Sequence, residues 1–188
     1  MVNIKQVHGD KIVVVNEGYI HEKKSIEEAD AVVTDQKKVA IAVRTADCVP
    51  LFLYDSQNEI IGVVHAGWKG TEQNISGKTV ALMKKIWGSD PAQIQVALGP
   101  SIRECCYEVG EEVVTEFRKA GFSAGIVRKK DGATFLDLKK ANREMIEAEG
   151  IACIHDLTLC TSCRQDLFFS ARRDAQGGRQ VNFVQLRR

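Results

Sequence analysis

The sequence predicts an α+β fold with mixed sheets. Two observations carry that expectation. Short β-branched runs outnumber the stretches with helical spacing, and the helical stretches are not interleaved with them one by one, as a doubly wound parallel sheet would require. A third bears on domain count. The 188 residues contain no repeat, no low-complexity tract and no Pro-rich linker, so one domain over residues 1–188 is expected. A chain of that length buries about 70% of the surface its unfolded form would expose.

Residues 11–15 are a β-branched run and read as a strand. Residues 16–24 are polar and turn-like. Residues 30–34, 39–44 and 49–54 read as three further strands. Pro50 lacks a ladder donor, which suits the first residue of a strand or an edge. Residues 56–58 make a turn and residues 59–65 a fifth strand. Gly67 and Gly70 punctuate a turn, after which Ile75, Thr79, Leu82 or Met83, and Ile86 recur at helical spacing. One amphipathic helix is therefore expected over residues 71–87, stopped at Gly88-Ser-Asp-Pro. Residues 94–98 form a strand closed by Gly99-Pro100. Val114 and Phe117 mark a helix over residues 111–120 with Gly121 as its C-cap. Residues 139–149 form a helix that Gly150 ends. Residues 151–163 are extended and end in a turn. Residues 167–169 and 181–186 read as closing strands, with Gly177-Gly178 turning between them.

Apolar residues make up 44% and charged residues 27%, ordinary values for a soluble globular protein. A formal charge of +1 gives no basic footprint for nucleic acid or an acidic membrane. The basic C-terminal residues (Arg172, Arg173, Arg179, Arg187, Arg188) read as a solvated edge. No run approaches the roughly 20 apolar residues that span a bilayer, and the N-terminus has no signal-peptide core. A cytoplasmic protein is expected, whose six cysteines are thiols or ligands rather than a disulfide framework. The oligomeric state stays open, a monomer included.

The chemistry concentrates in three places. Cys48 lies between two strand-like runs beside Asp47. His65 ends an apolar run and precedes Ala-Gly-Trp. His8 precedes Gly9, whose freedom allows a turn that aims the ring inward. Two His and one Cys with a fourth position open is a catalytic zinc pattern, and the same set suits copper. The structural alternatives are a hydrogen-bonded histidine at a strand end and a cysteine serving as a small core hydrophobe. A rival metal set is Cys160-Thr-Ser-Cys163 with Cys105-Cys106. Adjacent cysteines in an extended segment diverge, so this second group is expected to have no special role. Gly67, Gly70 and Lys69 before a helix form a weak phosphate-binding pattern, with a tight strand-to-helix turn as the plainer reading.

Seven segments then occur in one order: Gln-Val-His-Gly, Ala-Asp-Ala-Val-Val-Thr, Arg-Thr-Ala-Asp-Cys-Val-Pro, Val-His-Ala-Gly-Trp-Lys-Gly, Leu-Gly-Pro-Ser-Ile, Cys-Cys-Tyr-Glu-Val-Gly and Asp-Leu-Phe-Phe-Ser-Ala-Arg-Arg-Asp. Together they resemble the laccase-domain family. Its members were once called multicopper polyphenol oxidases and are now regarded as zinc-dependent purine nucleoside phosphorylases with adenosine deaminase and methylthioadenosine phosphorylase activity. The resemblance implies one layered α/β/β/α sandwich, helices outside two sheets. It also implies metal ligands at His8, Cys48 and His65, with Arg44, Asp47, Ser170 and Arg172 near the pocket. The family usually carries several dozen residues before Gln-Val-His-Gly, whereas five precede Gln6 here. A short or truncated form is expected, with the completeness of its pocket left open.

The leading expectation is phosphorolysis of purine nucleosides (adenosine, inosine, methylthioadenosine), with adenosine deamination as a side activity. Zn²⁺ would act as Lewis acid, Cu²⁺ being the other candidate. Lys69, Arg44 or Arg172 would clamp phosphate, and Asp47 would orient a ligand. The rivals are a single-copper polyphenol oxidase, a hydrolase with Cys48 as nucleophile and His65 as base, and a non-enzymatic binding module. Four histidines are too few for a true multicopper laccase.

Overall fold

A computed structural model describes residues 1–21 and 27–187 of the chain. Among them lie ten strands and five α-helices in a mixed α/β arrangement of open sheets. The main sheet joins β1 (Ile12–Val15), β2 (Ala31–Thr34), β4 (Val49–Asp55), β5 (Ile60–Ala66), β6 (Ile94–Leu98) and β9 (Cys153–Asp156). Their order across the sheet is β1-β2-β5-β4-β6-β9. The β1–β2 and β6–β9 pairs are parallel and the other three antiparallel.

Alternation of side chains across the pleat explains the layers. Ala31, Val33, Leu51, Leu53 and Val64 point to one face. There they pack with Ile75, Val80 and Met83 of α3 (Ile75–Trp87), Phe117 of α4 (Glu111–Lys119) and Ala141 and Ile146 of α5 (Leu138–Ala148). Val13, Val32, Ile61 and Val63 point to the other, against Ile41 and Val43 of β3 (Ala40–Thr45). β3 pairs antiparallel with β10 (Gln180–Gln185) as a second, two-stranded sheet. The layer order is thus helices, six-stranded sheet, two-stranded sheet. The outer face of the ribbon carries Val181 and Phe183, both exposed. With both faces of the main sheet covered, β2 and β5 are buried at every position, so their sequences are apolar but for Thr34 and His65.

Several local expectations are corrected. The helix expected over residues 71–87 is two: α2 (Trp68–Glu72) and α3. Asn74 adopts left-handed φ 61° between them, and its side-chain oxygen accepts the Gly77 N–H at 3.1 Å. An asparagine tolerates that conformation and caps the next helix, so periodicity alone ran through a real break. Residues 167–169 are not a strand. They follow a turn in which Leu167 and Phe168 N–H donate to the Arg164 carbonyl. Residues 16–24 contain a short helix, α1 (Glu17–His21); residues 22–24, like Arg188, lie outside the described residues. A hairpin of β7 (Val127–Lys130) and β8 (Ala133–Leu136) has no counterpart in the sequence pattern, its charged strand being largely exposed. Pro50 is neither first nor on an edge. It is the second residue of central β4 but lies one past the end of the β6 register, where only its carbonyl is used, by Gly99 N–H at 2.8 Å. No helix among the described residues is long and apolar enough to cross a membrane.

Candidate metal centre

Register puts the three candidate ligands at one end of the main sheet. Ala31 of β2 pairs with Val64 of β5, and Val49 of β4 pairs with Ala66. The residues just before β2 and β4, Asp30 and Cys48, therefore flank the end of β5, where His65 sits. β1 runs parallel to β2 with Ile12 opposite Ala31, so the segment leading into it, with His8 and Gly9, arrives at the same end. One ligand atom each from His8, Cys48 and His65 lies within 4.8 Å of the others. The two imidazoles stand edge to face, with centroids 4.8 Å apart at 81°.

Asp30 organises this end. It is fully buried, and each carboxylate oxygen takes two donors. Oδ1 accepts the His8 N–H at 3.0 Å and faces His65 Nδ1 at 2.7 Å; Oδ2 accepts the N–H groups of Val7 at 3.1 Å and Gly9 at 2.8 Å. That fixes the left-handed φ of 61° at His8 and turns the segment toward Cys48. It also engages Nδ1 of His65 and leaves Nε2 to face the site. Burial raises the Asp30 carboxyl, but the His65 hydrogen bond and the Gly9 and Val7 N–H groups outweigh it and hold it below the usual range.

The site is electrostatically primed for a cation. Burial pushes the Cys48 thiol up, yet hydrogen bonds from His65 and His8 and their charge bring it down to about 6. Burial lowers His65, yet its bonds to Asp30 and Cys48 and their negative charge raise it to about 9. A thiolate and two imidazoles, one of them backed by a buried carboxylate, make a donor set that fits zinc. The backbone is shaped around it as well. A Cβ on Gly67 would stand 2.9 Å from the His8 ring and 3.2 Å from the Cys48 sulfur, and one on Gly70 2.7 Å from the Gly9 carbonyl. These glycines admit the N-terminal segment. That is the tight strand-to-helix turn given above as the plainer reading.

The trio sits in a cavity of about 710 Å³ whose walls include Arg44, Tyr107, Arg172 and Arg179. Arg44 is anchored through its backbone, which exchanges two hydrogen bonds with the Gln6 amide at 2.7 and 2.8 Å. The Arg172 guanidinium lies 5.3 Å from the Tyr107 ring centroid and donates to the Glu108 carbonyl at 2.9 Å. Burial and the Cys48 charge push the Tyr107 phenol up to about 12, so it keeps its proton.

Two of the residues expected at the site take other positions, and a third, Asp47, stands at the cavity but with its carboxylate engaged elsewhere. Lys69 is exposed on α2 over the Trp68 ring and does not line this cavity. Ser170 is buried, its hydroxyl donating to Asp47 at 3.0 Å rather than facing the cavity. Asp47 borders the cavity, but its carboxylate is taken up by Thr161 Oγ1 at 2.7 Å, Ser170 and the Arg172 N–H at 2.7 Å. It holds the C-terminal loop against Cys48 rather than touching the ligands. Sequence reasoning missed Asp30, Tyr107 and Arg179 as site residues. The signal for Asp30 was a lone acid opening an apolar strand; for Arg179, an arginine directly before the strand that pairs with β3.

The chain is similar to several known proteins. A family model described as multi-copper polyphenol oxidoreductase laccase matches residues 1–187. The chain is 38% identical over 183 residues to a purine nucleoside phosphorylase of Clostridium acetobutylicum, covering 96% of this chain and 75% of that one. It is 40% identical over 183 residues to adenosine deaminase RL5 of an unknown prokaryotic organism, covering 92% and 70%. The crystal structure of YlmD from Geobacillus stearothermophilus superposes with a TM-score of 0.91 at 35% identity, covering all of this chain and 73% of that one.

Proposed function

The chain belongs to the multi-copper polyphenol oxidoreductase laccase family, and we propose that it is a purine nucleoside phosphorylase whose His8, Cys48 and His65 hold a zinc ion. The observation that carries this reading is the convergence of that trio in a cavity walled by Arg44, Arg172 and Arg179. The names of its relatives, phosphorylase and adenosine deaminase, support the same substrate class.

In phosphorolysis, phosphate attacks the ribose C1′ as the purine leaves with the bond electrons. Guanidinium forks suit the dianion, since each offers paired N–H donors and stays charged at any working pH. Arg44, Arg172 and Arg179 are the groups assigned to it. The protonated Tyr107 phenol supplies a donor for the negative charge that develops on the purine. Asp30 keeps His65 oriented, and Asp47 keeps the backbone of Arg172 beside the cavity. A zinc ion held by the trio supplies Lewis acidity at this point. Purine nucleoside and inorganic phosphate are the partners, in a single laccase-type domain acting in the cytoplasm.

The test is release of free base from adenosine and inosine by zinc-loaded protein, with and without phosphate. Release that requires phosphate and disappears in Cys48→Ala is expected; release indifferent to phosphate defeats the proposal. A Cys–His hydrolase is the second reading, favoured by the Asp30–His65–Cys48 chain of hydrogen bonds. His8→Ala separates the two, because it removes a metal ligand but leaves that chain intact.

A further inference from the structure

From sequence, the second group of cysteines is expected to have no special role, on the ground that adjacent side chains diverge. The structure corrects that reason. Cys105 and Cys106 lie in a turn rather than an extended segment: the N–H groups of Cys106 and Tyr107 both donate to the Arg103 carbonyl, at 2.9 and 2.8 Å. Cys160 and Cys163 flank a second turn, closed by the Arg164 N–H on the Cys160 carbonyl at 3.0 Å. A bridge between Ser101 and Cys160 joins the two, with the Thr161 N–H donating to the Ser101 carbonyl at 3.0 Å. Both thiols of the first turn therefore face both thiols of the second.

All four sulfurs lie within 4.8 Å of one another. Cys106 and Cys163 are 3.3 Å apart, Cys105 and Cys163 3.7 Å. Four sulfurs about 2.3 Å from a tetrahedral zinc ion stand about 3.8 Å from each other, so these spacings lie close to those of a zinc tetrahedron. All four are free thiols in the structure. The Arg173 guanidinium braces the second turn from behind, donating to the carbonyls of Thr161, Ser162 and Phe168.

We propose that Cys105, Cys106, Cys160 and Cys163 bind a structural zinc ion, separate from the one assigned to His8, Cys48 and His65. Four thiolates fill its coordination and leave no open position, so the ion clamps rather than catalyses. What it clamps matters to the first site. The first turn leads into Tyr107, and the second carries Thr161, which bonds Asp47. The ion fastens together two loops that wall the cavity.

Metal content and spectroscopy of the full chain test this, with no reference to turnover. Wild-type protein purified under reducing conditions is expected to carry two zinc ions per chain. The double variant Cys48→Ala/His65→Ala should keep one and Cys106→Ser/Cys163→Ser should lose one. The zinc of the first variant should have four sulfur neighbours by X-ray absorption, and cobalt in its place should give the charge-transfer bands of a tetrathiolate. That variant leaves all four cysteines untouched, so it decides the matter even where the serine variant does not fold. A folded, reduced Cys48→Ala/His65→Ala protein without zinc, or with zinc on nitrogen and oxygen, overturns the proposal. So do disulfides among the four cysteines in protein that takes up no second zinc after reduction. Failure of the phosphorolysis assay leaves these measurements unaffected.

Discussion

Asp30 is the residue on which the geometry of the first site turns. Its four acceptor positions are filled by three successive backbone N–H groups and one imidazole. Asp30→Asn keeps the size but replaces one oxygen with an NH₂ that must face donors. Either the His8 segment or His65 then loses its partner. Outer contacts of this type change metal affinity by about 10–100-fold when removed. Zinc competition against a chromophoric chelator is expected to show a loss in that range, with the fold retained by circular dichroism. Unchanged affinity would mean that Asp30 only packs. Gly67→Ala should act from the other side, since the added methyl must displace the His8 ring or the Cys48 sulfur. The same titration reads it, again as weaker binding.

The elements succeed where one local signal governs and fail where tertiary contacts decide. β2 and β5 fell close to their expected bounds because burial on both faces demands apolar residues almost throughout. The α2–α3 break was illegible because apolar periodicity crosses it without a slip, and only the left-handed Asn74 marks it. The β4–β5 turn is a case that local chemistry does fix. Buried Asp55 accepts the N–H groups of Gln57 at 2.9 Å and Asn58 at 3.1 Å, and the Asn58 amide at 2.8 Å. Burial raises its carboxyl, but the Ser89 side chain and those donors outweigh it and the net shift is downward. A carboxyl lowered on folding contributes stability that is present above its unfolded pKa and lost as pH falls through its folded value. Asp55→Asn is therefore expected to cost about 1–2 kcal/mol near neutrality. The deficit should begin to shrink as the pH drops below about 4, where the unfolded carboxyl takes up its proton, and go on shrinking down to the lower pH at which the folded one does. Urea melts of both proteins between pH 3 and 7 measure the difference; a deficit independent of pH would assign the effect to shape alone.

At the scale of the molecule, the candidate site was legible in the side chains proposed as ligands and illegible in their supports. Cys48, His65 and His8 are reactive side chains set against apolar runs, and sequence can flag those. Which carboxylate faces which histidine depends on register between β2 and β5, and no local pattern encodes it. The same limit explains Asp47, read as a ligand-orienting group when its partners lie more than a hundred residues away. Three donors from the loop over residues 161–172 converge on its carboxylate, and its own left-handed φ of 90° aims it there. Asp47→Ala would leave those donors without their acceptor in a buried place, at about 1–3 kcal/mol. For a chain of this length that lowers Tm by roughly 2–12 °C. The loss should be local before it is global, because these three bonds tie the loop to the start of β4. Hydrogen exchange is expected to quicken first at the Arg172 and Arg173 amides, while β5 stays protected. Arg172 then leaves its place on the cavity wall, so the KM for phosphate should rise more than kcat falls. Uniform exchange across the chain, with phosphate binding intact, would make Asp47 a general stabiliser and sever the link between this loop and the site.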